Sequence, residues 1–184
     1  ETYTDYSQGS VRQTGGTYDL ALSGSGFFTV SVTDKAGEVH TRYTRDGRFH
    51  LTKDGLLVDA DGNAVQGQNG NITIDPSSKN VSISATGQIT ADGELVDTLN
   101  IVDFEDYDYL KKYGDTMYEP VDGATTKDAE GEILQGYTEQ SNVNVVREMV
   151  DMITITRAYE ASQKVIHSYD SMLDKSVNQV GALK

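Results

Sequence analysis

The sequence has no cysteine and no tryptophan, and only two of its 184 residues are proline. Without cysteine there is no disulfide and no thiolate metal site. Basic residues are scarce, 15 against 29 acidic ones, for a formal charge of −14. A nucleic-acid surface needs clustered Lys and Arg to displace phosphate counterions, and a field of this sign repels both nucleic acid and anionic lipid. No run approaches the roughly 18 apolar residues of a membrane span, so direct membrane insertion is not expected. The opening Glu1-Thr2-Tyr3-Thr4-Asp5 has no charged-then-apolar signal pattern, and the missing initiator Met reads as a fragment or a processed form.

What is abundant is glycine, 18 residues. Leu20, Leu22, Phe28, Val30 and Val32 approximate the period-2 alternation of a half-buried strand, interrupted by Gly24-Ser25-Gly26, where a bulge or sharp bend is expected. Asp-Gly recurs at Asp46-Gly47, Asp54-Gly55, Asp61-Gly62 and Asp92-Gly93. Such pairs suit two-residue hairpins, because both positions tolerate positive φ. The spacing predicts a compact antiparallel, hairpin-rich β domain over 1–140. Residues 103–136 read as irregular, with a short helix or turn near Tyr107 and an exposed acidic loop over 122–132.

After Ser141 the period changes. From Asn144 to Gln179 there is no Gly and no Pro. Positions 145, 149, 152, 156, 159, 163, 166, 170, 173, 177 and 180 step by four and three, and eight of the eleven are apolar, as in a coiled-coil seam. A helix here is about 50 Å long, more than a small β domain can cover. Its apolar face therefore calls for another helix. Ser141 or Asn142 is the expected N-cap. The fold class is thus mainly β with α: the β domain, then one long helical assembly segment over 141–184.

No catalytic, cofactor or metal site is predicted. Asp59-Ala60-Asp61-Gly62-Asn63 starts like a calcium loop, but position twelve is Gly70 rather than the required Glu. Gly24-Ser25-Gly26 lacks the third glycine and following helix of a dinucleotide loop. His40, His50 and His167 lie far apart, with no partner four residues on. The carboxylate pairs Asp103/Glu105 and Asp106/Asp108 sit among solvating acidic residues. The 11 tyrosines are scattered, which argues against the aromatic groove of a glycan or cell-wall binding β module, the most distant alternative.

Two segments carry a resemblance. Asp19-Leu20-Ala21-Leu22-Ser23-Gly24-Ser25-Gly26-Phe27-Phe28-Thr29-Val30, followed by Tyr43-Thr44-Arg45-Asp46-Gly47-Arg48-Phe49, is similar to the hallmark of bacterial flagellar rod and hook proteins. Ser141-Asn142-Val143-Asn144, the run Glu148-Met149-Val150-Asp151-Met152-Ile153 and Arg157-Ala158-Tyr159-Glu160 resemble that family's C-terminal signature. The modest length, without a large insertion in the β region, resembles the rod members more than the hook protein. The resemblance implies a non-enzymatic subunit, without cofactor or small-molecule substrate, exported through the flagellar type III apparatus. It implies assembly with copies of itself and other rod or hook subunits, in the basal body outside the cytoplasmic membrane. It also implies an N-terminal helical segment, not matched in these 184 residues, that pairs with the C-terminal helix. Val145, Met149, Met152, Ile153, Tyr159, Ile166 and Leu173 are the expected assembly contacts. Arg157 and Glu160, three apart, are placed to pair with each other or across subunits. Gly24, Gly26, Phe27, Phe28, Thr44, Arg45, Asp46, Gly47, Ser141, Asn142 and Asn144 carry the motifs.

Overall fold

The computed structural model describes residues 4–181, without the side chains of residues 145, 174 and 176–181. It divides into two compact units, the first ending at Asn142 and the second beginning at Val143. The first is all antiparallel strand pairing. It opens with β1 (Val11–Gln13), β2 (Leu20–Ser23), β3 (Phe27–Thr33) and β4 (Val39–Thr44). Short strands follow: β5 (His50–Leu51), β6 (Leu57–Val58), β7 (Ala64–Gly67) and β8 (Gly70–Asn71). Then come β9 (Val81–Ile83), β10 (Gln88–Ala91), β11 (Glu94–Thr98) and β12 (Ile101–Phe104). The unit ends with β13 (Leu110–Tyr113), β14 (Met117–Pro120), β15 (Thr126–Asp128), β16 (Glu132–Gln135) and β17 (Tyr137–Glu139). The second unit is one helix, α1 (Val145–Gly181).

β3 organises the main sheet. It pairs along its length with β4 and, on its other edge, with β12 at Phe27–Phe28 and β7 at Val30–Ser31. Its side chains therefore meet protein on both faces. Phe28 and Val30 enter the large core with Leu20, Leu22, Leu57, Val65, Ile72, Ile74 and Ile89. Phe27 enters a second, aromatic core with Phe104, Leu110, Tyr6, Tyr43, Tyr107 and Tyr118. The end of the unit closes on its beginning, β16 on β2 and β17 on β1.

One turn is used four times. Asp34, Thr52, Asp59 and Ser84 each donate a backbone N–H to the carbonyl four residues on, and each accepts from the glycine three residues on. Their side-chain oxygens accept from the N–H of residue i+4, at 2.8 to 3.1 Å. The glycines at 37, 55, 62 and 87 all have φ between 84° and 87°. This is the three-residue hairpin loop closed by a left-handed glycine. The two-residue expectation therefore holds only at Asp92-Gly93, φ 51° and 92°, between β10 and β11. At Asp54-Gly55 and Asp61-Gly62 the glycine is the third loop residue, and the residue that opens the turn, Thr52 or Asp59, sets its type. Asp46-Gly47 is no hairpin at all: Gly47 runs against Leu20, whose N–H donates to the Gly47 carbonyl at 2.9 Å.

The stretch 103–136, expected to be irregular, carries the β13–β14 hairpin, β15 on β12, and a 3-10 turn at Tyr107–Tyr109. Pro120 ends β14, where its missing N–H is harmless. Lys111, Lys112, Tyr113 and all of β15 are exposed, so no apolar alternation marks these strands in the sequence.

Candidate assembly interface

Arg45 joins the two glycines of the first motif to the segment Thr44-Arg45-Asp46-Gly47. Its Nη1 donates to the Gly26 carbonyl at 3.1 Å and its Nη2 to the Gly24 carbonyl at 3.0 Å. Its Nε donates to Glu139 Oε2 at 3.0 Å. The other carboxylate oxygen, Oε1, accepts from the Gly9 N–H at 2.8 Å. Both charged side chains are nearly buried, 16% and 10% exposed. The planar guanidinium thus ties the β2–β3 bend to β17, and through Glu139 to the chain entering β1, a task that suits its fixed fork of donors. Gly24 and Gly26 hold φ of 113° and 125° there, and a Cβ on Gly26 would lie 2.8 Å from that of Ala129.

Thr44 and Asp46 position Arg45. Thr44 Oγ1 donates to the Thr116 carbonyl at 2.7 Å and accepts from the Asp46 N–H at 3.0 Å. Asp46 pairs with Arg48 at 2.6 Å. Burial pushes the Asp46 carboxyl up, but the Arg48 hydrogen bonds and charge outweigh it and hold it below the usual carboxylate range. The Arg45–Glu139 link spans 94 residues, which is why local spacing gives no hint of it.

The second motif has two separate jobs. Asn142 Nδ2 donates to the carbonyls of Asp5 and Ser7 at 3.1 and 2.9 Å, inside the β unit. The helix N-cap is Asn144, not Ser141 or Asn142. Its Oδ1 accepts from the N–H groups of Val146 and Arg147 at 3.1 and 3.2 Å, the otherwise unpaired donors of the first turn. Asn142 is already committed to holding residues 5–7.

On α1, twelve apolar side chains from Val146 to Leu173 are between 53% and 71% exposed. They include the expected contacts Met149, Met152, Ile153, Tyr159, Ile166 and Leu173; the side chain of Val145 lies outside the described residues. Arg157 and Glu160 are exposed and form no ion pair with each other. Thr154, Thr156, Ser162 and Ser171 return their hydroxyls to the carbonyl four residues back, so these polar positions satisfy themselves within the helix. A helix apolar over this length is stabilised by packing rather than by propensity. Exposed apolar side chains in this number set the helix apart from the β unit, whose large apolar residues are mostly buried.

The β unit also holds a cavity of about 700 Å³. Asp103 is fully buried at its wall. It accepts from Tyr107 Oη at 2.7 Å and the Phe104 N–H at 2.8 Å, with Lys127 Nζ 3.2 Å away. Burial raises the Asp103 carboxyl, but the hydrogen bonds from Tyr107, Ser25, Phe104 and Lys127 prevail and hold it low. Burial and Asp103 push Tyr107 up to about 12. A carboxylate held ionised is a poor proton donor; the cluster is a structural lock.

The sign of its pH dependence follows from linkage. Asp103 stabilises the fold above the ordinary carboxylate range, and that contribution is lost as pH falls through its lowered value. Tyr107 acts at the other end: above its ordinary value near 10 the unfolded chain ionises first, so stability falls from about pH 10 to 12. Tyr107→Phe is therefore expected to flatten both limbs of a plot of urea midpoint against pH. An unchanged profile would remove the lock from the account. Elsewhere, His40 Nε2 lies 3.3 Å from Asp34 Oδ2, with Glu38 close by. The Asp34 turn already accounts for that grouping. Asp59, the start of the calcium-like sequence, also has its carboxylate engaged by Asp61, by the Asn63 N–H and by the Asn63 amide.

A β unit clamped at both ends, followed by a capped helix that exposes its apolar residues, defines a structural subunit built to be completed by neighbours. The chain belongs to the flagellar basal-body rod FlgE/F/G family. A family model described as the FlgE/F/G D1 domain of the flagellar hook protein matches residues 21–91, and one described as the flagellar basal body rod FlgEFG protein C-terminal matches residues 134–180. The chain is 36% identical over 183 residues to the flagellar basal-body rod protein FlgG of Buchnera aphidicola, covering 92% of this chain and 68% of that protein. FlgG of Bacillus subtilis is 32% identical over 194 residues, with 95% and 70% covered. FlgF of Caulobacter vibrioides is 34% identical over 181 residues, with 97% and 72% covered. Among the described residues no helix is long and apolar enough to cross a membrane.

Proposed function

We propose that this chain is a FlgG-type structural subunit of the flagellar rod. It polymerises helically with copies of itself and with other rod or hook subunits into the axial shaft that carries torque to the hook. The observation that carries this reading is the twelve exposed apolar side chains of α1, on a chain whose β unit already has two closed cores. Each such side chain contributes about 1.5–3 kcal/mol when buried, so a lattice that covers them all is stiff. All of the net negative charge sits on the β unit: residues 143–184 hold five basic and five acidic residues, leaving 10 against 24 for residues 1–142. Like-charged β units repel, and the neutral helix is the part that associates readily. The working site is the basal body outside the cytoplasmic membrane.

Met152→Asp tests this in flagellated cells. The expected result is at least a tenfold loss of incorporation into isolated basal bodies, with the thermal unfolding of the β unit unchanged. Incorporation at the wild-type level would overturn the reading.

A further inference from the structure

Asparagine occurs eight times, at 63, 69, 71, 80, 100, 142, 144 and 178, and only Asn69 is followed by glycine. What an asparagine can do chemically depends on its successor. The backbone nitrogen of the next residue can attack the side-chain carbonyl carbon and close a cyclic imide. A side chain on that next residue shields the nitrogen. Glycine leaves it uncovered and gives the backbone the freedom to turn toward the carbonyl. The other asparagines precede Ala, Ile, Val or Gln.

The fold exposes this pair and gives the Asn69 amide a task. Asn69 is exposed in the two-residue turn between β7 and β8, where Gly67 pairs with Gly70. Gly70 has φ 116°, and a Cβ placed on it would have nothing within 4 Å, so water reaches this end of the hairpin. Asn69 Nδ2 donates to Asp97 Oδ1 at 2.9 Å. Asp97 is buried, 8% exposed, and lies so close to Gly67 that a Cβ there would collide with its carboxylate. The Gln68 N–H donates to the Thr98 carbonyl at 2.9 Å. These two bonds fasten the tip of the β7–β8 hairpin to the end of β11. β8 leads directly into Ile72 and Ile74, both fully buried in the main core.

We propose that Asn69 is a site of self-modification, at which the Gly70 nitrogen turns the amide into a carboxylate and undoes this fastening. The nitrogen gives its proton to water and bonds to Cγ of Asn69. The Cγ–Nδ2 bond breaks, and Nδ2 leaves as ammonia. Water then opens the imide at one of its two carbonyls, which leaves aspartate or isoaspartate at 69; no electrons are gained or lost. Either product replaces the donor to Asp97 with a second anion, and like charges at hydrogen-bond distance repel. Isoaspartate also lengthens the main chain by one carbon inside a tight turn. The new charge falls on the unit that already carries all of the net negative charge. The inference rests on the β unit alone and is independent of the rod reading.

The full chain is held folded at mildly alkaline pH and, in parallel, in concentrated urea. Peptides are followed by mass and by chromatographic retention, which separate asparagine, aspartate and isoaspartate. In the folded chain, position 69 is expected to convert at least tenfold faster than any other asparagine, with isoaspartate among the products. Conversion at 69 confined to urea would overturn the proposal, as would faster conversion at another asparagine of the folded chain. The unfastening is read separately. Asn69→Asp should have a lower urea midpoint than Asn69→Ala, which loses the same hydrogen bond without adding a charge. Equal midpoints would overturn the clash with Asp97.

Discussion

Arg45→Ala is expected to lower the stability of the β unit by about 3–5 kcal/mol, the range for removing one partner of a buried ion pair. Three contacts disappear together. The Gly24 and Gly26 carbonyls lose their donors, and Glu139, 10% exposed, keeps only the Gly9 N–H. Arg45→Lys should recover little, because an ammonium cannot reach three acceptors arranged for a planar fork. Arg45→Met combined with Glu139→Leu should be milder than Arg45→Ala, since no charge is then stranded. Urea unfolding followed by tyrosine fluorescence measures all of these. A loss below about 1 kcal/mol for Arg45→Ala, the size expected of an exposed pair, would mean that the guanidinium is not the clamp.

Gly47→Ala should be comparably severe, for a different reason. A Cβ at this position would lie 1.9 Å from the Leu20 carbonyl oxygen and 2.8 Å from its carbon. Leu20 cannot retreat: its N–H donates to the Gly47 carbonyl, and its side chain is fully buried in the main core. The strands must separate, and overpacking against backbone costs about 3 kcal/mol or more. Gly62→Ala is the control. Nothing lies within 4 Å of the added methyl, and only the φ of 87° opposes it, about 1–2 kcal/mol. Both variants are read by thermal unfolding; equal losses would remove the close approach as the reason for glycine at 47.

The helix was legible in the sequence because residues 145–180 share one physical rule, absence of Gly and Pro with a 3-4 apolar recurrence, from which only the last of the 37 helical residues, Gly181, departs. Its N-cap was misplaced by two to three residues. Ser141, Asn142 and Asn144 are all good cap types, and only the tertiary bonds of Asn142 to Asp5 and Ser7 decide among them. The seam through Val145, Met149, Met152, Tyr159, Ile166 and Leu173 is the line along which two offset apolar stripes meet: at 3.6 residues per turn, Val146, Val150 and Ile153 fall on one side of it and Val165, Tyr169 and Met172 on the other. Listing only every third and fourth residue concealed the flanking residues that lie on opposite sides of it.

In the β unit, alternation identified β2 and β3, whose buried residues are large. It missed β13, β14 and β15, whose outward side chains are polar, charged or aromatic; β13 and β14 pair with each other as a hairpin, and β14 also meets β4, far off in sequence. The repeated turn was readable after all: Asp, Thr or Ser followed three residues later by Gly, at 34, 52, 59 and 84. Asp-Gly drew attention to the wrong pair of positions. The Arg45–Glu139 clamp has no local signature, so the sequence could mark Gly24, Gly26 and Arg45 as belonging to one motif without showing that they touch.

The central claim is that α1 is exposed in the single chain and buried on assembly, while the β unit is complete in both states. The four methionines report on it directly. Met117 is 6% exposed in the β unit, and Met149, Met152 and Met172 are 61%, 69% and 64% exposed on the helix. Peroxide oxidation read by peptide mass spectrometry compares the dilute chain with assembled rods. Met149, Met152 and Met172 should oxidise in the dilute chain and resist by at least tenfold in rods, with Met117 protected in both. If Met149 and Met152 oxidise in rods as fast as in the dilute chain, the helix is not the assembly element.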